Sequence, residues 1–221
     1  PLHTLPPALG ALATLQSLSV SATGLETLPD VFGALPALQV LVARDNALRA
    51  LPESLAATPL EALDLTRNAF AAVPALVQRL PRLRALSLDD NRLAALPEWL
   101  GALAALEELR VSGNAFSRLP HALPRLSVLT ASDAPLYAFP PQLAALPLHT
   151  LVLAHTRLTA LPAAVLSTLT GLRSLVLDGT WLTALPPALP AALQNLQRLS
   201  LRDTCLDCRA VAHAFAGTSA T

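Results

Sequence analysis

The chain has 221 residues, 53% of them hydrophobic, 14% charged and only 4% aromatic, so it carries ample apolar material for a core filled almost wholly by aliphatic side chains. Fifteen basic residues balance fifteen acidic ones and no Lys/Arg cluster breaks the balance, which argues against nucleic acid as a partner. No apolar run of eighteen residues escapes Pro or polar interruption, so no membrane span is expected.

In chain order, Pro1-Leu2-His3-Thr4-Leu5-Pro6 has neither a charged start nor an unbroken apolar stretch and does not read as a signal peptide. With no Met at its start or elsewhere, the chain is expected to be a piece of a longer protein. Leu5-Pro6-Pro7-Ala8-Leu9-Gly10-Ala11-Leu12 is the back half of a repeat with no polar cap before it, so upstream sequence is expected to cover it. Similar lines then start at Leu15, Leu38, Leu60, Leu83, Leu106, Leu126, Leu148, Leu172 and Leu196, at intervals of 23, 22, 23, 23, 20, 22, 24 and 24 residues. Each follows L-x-x-L-x-L-x-x-N/T-x-L, as in Leu83-x-x-Leu86-x-Leu88-x-x-Asn91-x-Leu93. The opening half-line and the first eight of these lines each continue to an apolar residue followed by Pro: Pro6, Pro29, Pro52, Pro74, Pro97, Pro120, Pro140, Pro162 and Pro186.

The alternation at Leu86 and Leu88 is that of a short strand with its leucines inward. The Asn or Thr column (Thr23, Asn46, Asn68, Asn91, Asn114, Thr156, Thr180, Thr204) stands where the chain leaves the strand, and can satisfy turn groups that would otherwise go unpaired. Pro fits the first position of a helical turn, since its missing N–H costs nothing there, and Leu100-x-x-Leu103 has helical spacing. Stacked lines bury what one line cannot. Nine strands about 4.8 Å apart make a parallel sheet roughly 40 Å long, concave, with helical turns on the convex side.

These motifs resemble the leucine-rich-repeat family, in its L-x-x-L-P subclass with repeats near 23 residues, from Leu5 to about Leu206. The resemblance implies an α/β solenoid, a right-handed curved stack that binds another protein without a cofactor or catalytic residues and acts as a monomer. The Ala-rich L-x-x-L-P lines are also similar to the repeat domains of type III secreted effectors of plant-associated bacteria. That likeness implies a domain that selects a host protein, from the bacterial cytoplasm or inside the host cell. It also leaves room for a parent enzyme such as a ubiquitin ligase, with this chain as its targeting arm, or for a structural or autoinhibitory solenoid.

Two departures stand out. The fifth line is short, with only His121-Ala122-Leu123-Pro124-Arg125 after Leu119-Pro120, which removes most of a helical turn. The sixth has Ala134-Pro135 in place of Asn-x, and only Thr fills the column after it. This is either repeat drift or a bend shaping a pocket around Asp133 and Tyr137. The solenoid is expected to occupy residues 1–206. Asp207 would cap a helix over 207–216, with Cys208, Val211 and Phe215 at helical spacing, before a frayed tail at 217–221.

Cys205-x-x-Cys208 lacks a second ligand pair for zinc and reads as two buried or half-buried thiols, with a disulfide or a metal as the other options. His3, His121, His149, His155 and His213 fall at unrelated positions, and no nucleophile motif accompanies them. Trp99 and Trp181 lie outside the core columns and are expected to be part-exposed, with Trp181 the better contact candidate.

Three outward columns flank the inward leucines: Ser19, Val42, Asp64, Ser87, Arg110, Thr130, Val152, Val176 and Ser200; then Ser21, Arg44, Thr66, Asp89, Ser112, Ser132, Ala154, Asp178 and Arg202; then Ala22, Asp45, Arg67, Asp90, Gly113, Asp133, His155, Gly179 and Asp203. Charge gathers in lines two to five, at Arg44, Asp45, Asp64, Arg67, Asp89, Asp90 and Arg110. Either these groups pair laterally on a solvated face, or they form with Val42 a docking surface that Asp133, His155, Asp178, Trp181 and Arg202 extend.

Overall fold

A computed structural model describes residues 5–207. Nine three-residue strands form one parallel sheet in sequence order: β1 Ser17–Ser19, β2 Val40–Val42, β3 Ala62–Asp64, β4 Ala85–Ser87, β5 Glu108–Arg110, β6 Val128–Thr130, β7 Thr150–Val152, β8 Ser174–Val176 and β9 Arg198–Ser200. Their central residues stay in register along the stack, Leu41 opposite Leu63, Leu63 opposite Leu86 and Leu86 opposite Leu109. Leu86 and Leu88 are fully buried, as are their equivalents through the middle of the stack, and each such side chain contributes about 1.5–3 kcal/mol by leaving water.

Beyond each strand the ladder runs on, Val20 N–H to Val42 O at 2.8 Å and Ala22 N–H to Arg44 O at 2.9 Å. Then every line turns through the left-handed region. Ala22, Asp45, Arg67, Asp90, Asp133, His155 and Asp203 have φ of 52–55°, and Gly113 and Gly179 have 65°. Asp and Gly take six of these nine positions, since a short polar side chain, or none, tolerates that conformation best.

Asparagine closes the turn. Asn91 Nδ2 donates to the carbonyls of Leu65, Leu88 and Asp89 at 3.0–3.1 Å, while its Oδ1 accepts the Phe70 N–H at 3.1 Å. Asn68 and Asn114 repeat that set, so each side chain ties its own line to the preceding one. Thr156 and Thr180 donate only to Leu153 and Leu177 of their own lines. Among the described residues no buried side-chain polar atom lacks a partner.

The convex side is built from five-residue 3-10 turns such as Glu53–Ala57, Ala75–Arg79 and Glu98–Ala102. Pro does not take the first helical position expected for it. Pro52, Pro74 and Pro97 precede the turns with extended ψ of 127–146°, and their carbonyls accept the first bond, from Leu55, Val77 and Leu100. The two 24-residue lines carry short α-helices instead, Ala163–Leu166 and Leu189–Ala192. There the extra residue admits i→i+4 bonds, as from Leu166 N–H to Pro162 O.

The short fifth line has no helical element between β5 and β6, yet Glu108–Arg110 still pairs Val128–Thr130 in register. The preceding turn closes down on it: a Cβ at Gly101 would lie 2.5 Å from Ala122 O. Of the expected helix over 207–216 only Asp207 is described; the remainder, with Cys208 and His213, the tail at 217–221, and His3 lie outside the described residues. Cys205 is exposed rather than buried, because it follows Thr204 at the place that faces outward in every line.

Two stability predictions follow from these contacts. Asn91→Ala should lower the unfolding free energy in a urea melt by about 1–3 kcal/mol, whereas Ser87→Ala on the outer sheet face should change it little; equal losses would contradict the inter-line role. Gly101→Ala should cost about 1–3 kcal/mol by overpacking against Ala122. The equivalent Gly33→Ala should be tolerated, since its Cβ would sit 3.6 Å from the nearest atom, Ser54 Cβ.

Candidate functional site

The outer face of the sheet holds a hollow of about 280 Å³ across β2–β5. Its floor is Val40, Val42, Ala62, Ala85 and Ser87, and its charged rim is Arg44, Asp64, Glu108 and Arg110. Small side chains in β3 and β4, flanked by larger ones, make the depression. Val40, Ala62, Ala85 and Glu108 belong to a fourth outward column, one that the sequence reading left out. Period-two alternation marks it, since the residue before each central leucine shares a face with the residue after it.

The rim charges are engaged along the stack. Arg44 Nε meets Asp64 Oδ2 at 2.5 Å, and Arg110 pairs with Glu108 within its own strand. Asp89 is part-buried and accepts the Ser112 N–H at 2.6 Å. Burial pushes its carboxyl above the ordinary value, with the Ser112 bond and nearby Arg110 opposing the shift. The structure therefore brings Val42, Arg44, Asp64 and Arg110 together at one hollow, with Asp89 beyond its edge.

Asp45, Arg67, Asp90, Asp133 and His155 are not strand residues, as the column reading had them. They occupy the left-handed turns and form an exposed ridge along one edge of the sheet. In it Arg67 reaches Asp45 at 3.1 Å and Asp90 at 3.5 Å. Contacts this exposed are screened by water and add little to stability. Asp178 lies at the far end, where its carboxylate accepts the Ser200 hydroxyl at 2.9 Å and the Arg202 backbone N–H at 2.8 Å; Arg202 side-chain charge reinforces that arrangement.

Trp181 departs from the concave assignment. It is 51% exposed and lies past its turn, on the flank, with its ring centroid 5.7 Å from the Arg157 guanidinium carbon. Trp99 is half-buried against the core. The pocket expected around Asp133 and Tyr137 exists in altered form: a cleft of about 510 Å³ lined by Tyr137, Arg118, His121, Glu98 and the Pro140-Pro141 pair, without Asp133. It occupies the space that the fifth line's missing helical turn vacates.

Among the described residues no three His, Cys, Asp or Glu side chains converge as metal ligands would, and no helix is long and apolar enough to cross a membrane.

A leucine-rich-repeat family model matches residues 58–116. Among solved structures, the leucine-rich repeat domain of the type III effector XopL is 30% identical over 91% of this chain and 73% of that domain, with a TM-score of 0.76. A leucine-rich-repeat protein of Leptospira interrogans is 24% identical, with 96% of this chain and 73% of that one covered and a TM-score of 0.60. The Arabidopsis thaliana receptor kinase ectodomain GASSHO1/SCHENGEN3, solved with CASPARIAN STRIP INTEGRITY FACTOR 2, is 25% identical over 96% of this chain, with a TM-score of 0.71, and this chain spans 30% of it. No curated protein gives a significant sequence match.

Asp178 offers a pH test of the outer face. The Ser200 hydroxyl foremost, then the Arg202 N–H, hold its carboxyl below the ordinary value of 3.8. Folding thus favours the ionised form; the stabilisation is present above the unfolded-chain value and is lost as pH falls through the lower folded one. Asp178→Asn should lower the melting temperature at neutral pH, and the gap from the parent protein should close as melts are run down to about pH 2. A gap that does not change with pH would contradict this assignment.

Proposed function

This chain belongs to the leucine-rich-repeat family, and we propose that it is the target-recognition domain of a larger, effector-like protein, docking a partner protein against its concave sheet. Repeat domains of this family are generally non-catalytic modules that bind other proteins. The observation that carries the reading is the hollow over β2–β5, where an apolar floor of Val40, Val42, Ala62 and Ala85 is ringed by paired charges of both signs. Such a floor takes an apolar anchor from the partner, and the rim, once its pairs are exchanged for pairs across the interface, supplies orientation and selectivity.

Val42, Arg44, Asp64 and Arg110 form the centre of this proposed face. Asp89 and the ridge residues Asp45, Arg67 and Asp90 extend it on one side, and Asp133, His155, Asp178 and Arg202 towards the C-terminal strands. The effector-like role is supported by the 30% identity to the XopL repeat domain, and a protein occupant by the Arabidopsis ectodomain solved in complex with CASPARIAN STRIP INTEGRITY FACTOR 2.

Photocrosslinking in a plant-cell extract tests the reading. A crosslinker at position 42 should capture a discrete protein that a crosslinker at Arg79, on the convex turn, does not. Filling the hollow with Val42→Glu and Ser87→Arg should abolish retention of that protein on immobilised bait while leaving the melting temperature unchanged. The same capture from both positions, or undiminished retention by the double variant, would defeat the concave-face assignment.

A further inference from the structure

The flank of the solenoid carries a second constellation, apart from the hollow. Three lines contribute one side chain each: Tyr137, Arg157 and Trp181. The Arg157 guanidinium carbon lies 5.3 Å from the Tyr137 ring centroid and 5.7 Å from that of Trp181, and Arg157 Nη1 donates to Tyr137 Oη at 2.7 Å. Tyr137 and Trp181, at 57% and 51%, are among the few exposed large hydrophobics of the described residues. Two rings and one hydroxyl thus contact an exposed arginine, and Tyr137, one of those rings, also lines the 510 Å³ cleft.

The charges around it are one-sided. Among the described residues no carboxylate forms an ion pair with Arg157, nor with Arg118 in the cleft wall or Arg92, which fills in line four the place Arg157 fills in line seven. The hollow differs, for there Arg44 and Arg110 are each matched to an acid. The one acid lining the cleft, Glu98, is already committed: one oxygen meets His121 Nδ1 and the other accepts the His121 N–H, both at 2.9 Å. A guanidinium has five donors, and only one of Arg157's is used. The rings lie against the cation without consuming the other donors, which leaves a fork for a carboxylate. The cation already lies against both rings, so they do not form an empty cage for an ammonium group.

We propose that the Tyr137–Arg157–Trp181 flank, together with the adjoining cleft, is a second docking site, and that it takes an acidic segment of a protein partner, with a carboxylate on Arg157 and neighbouring residues in the cleft beside Arg118. This site is independent of the concave hollow.

The test uses a fluorescent decapeptide of alternating Glu and Gly, its Lys counterpart, and a ten-nucleotide oligouridylate as the polyanion control, each titrated by anisotropy at low salt. The acidic peptide should bind, weaken as salt rises, and lose about tenfold in affinity with Arg157→Gln or Tyr137→Ala. The charge-matched variant Arg79→Gln on the convex turn should leave binding unchanged, and because the readout is local to Trp181, failure here and failure of the concave reading are separable. In the unmodified protein the same peptide should shift the Trp181 indole N–H resonance and spare that of Trp99, a readout that depends on no variant folding. The proposal is overturned if the acidic peptide does not bind, if the Lys peptide binds equally, if oligouridylate binds more tightly, if Arg157→Gln has no effect, or if the Trp181 resonance does not move.

Discussion

No line of this chain can enclose its own leucines. Leu86 and Leu88 are fully buried only because β3 and β5 lie on either side of β4, and the same dependence passes from line to line. From it follow the parallel sheet, the unbroken register and the restriction of each strand to three residues. It also creates a difficulty: where each strand ends, backbone groups must turn inside an aliphatic stack with no water to receive them. Asn68, Asn91 and Asn114 resolve this by accepting one N–H and donating to carbonyls of two lines at once, so that burial and polar satisfaction reinforce the same spacing.

A stack so constrained presents its outer side chains in fixed positions. The charges of the concave face use that order by pairing across neighbouring lines, Arg44 with Asp64 and Arg67 with Asp45 and Asp90. These contacts add little to stability, but an incoming partner must match or replace them, and a partner of the wrong pattern leaves charges uncompensated. The floor of Val42, Ala62 and Ala85 makes no such demand. In the docking proposed above, affinity and selectivity thereby fall to different residues of one surface.

Much of this was legible in the sequence, for a definite reason. The leucine spacing is a direct record of which side chains share the interior, and the Asn column records which turns are buried. The left-handed turn was less visible because it leaves no hydrophobic signature; its trace is a column holding Asp45, Asp90, Asp133, Asp203, Gly113 and Gly179, residues that tolerate positive φ. The hollow was obscured for the opposite reason, since Ala62 and Ala85 draw attention only once their large neighbours Val40, Val42 and Glu108 are seen around them. Trp181 stands directly after the Thr180 column, and the left-handed Gly179 before it redirects the chain to the flank, a turn that sequence position alone does not reveal.

The fifth line explains why the two proposed surfaces differ in character. Pairing depends on the short segment around each strand, so Glu108–Arg110 and Val128–Thr130 keep register although the residues between them are too few for a helical turn. The loss is absorbed on the far side of the coil, where Gly101 lets the previous turn close on Ala122 and a cleft opens beside Tyr137. A deletion that would destroy a strand is tolerated in the returning half, because nothing there sets the register of the next line. The concave face can therefore change only by substitution, which alters its charges and the depth of its floor. The flank can also change by insertion and deletion, and in this chain the shortened fifth line goes with a cleft whose Tyr137 wall is shared with the aromatic-held Arg157.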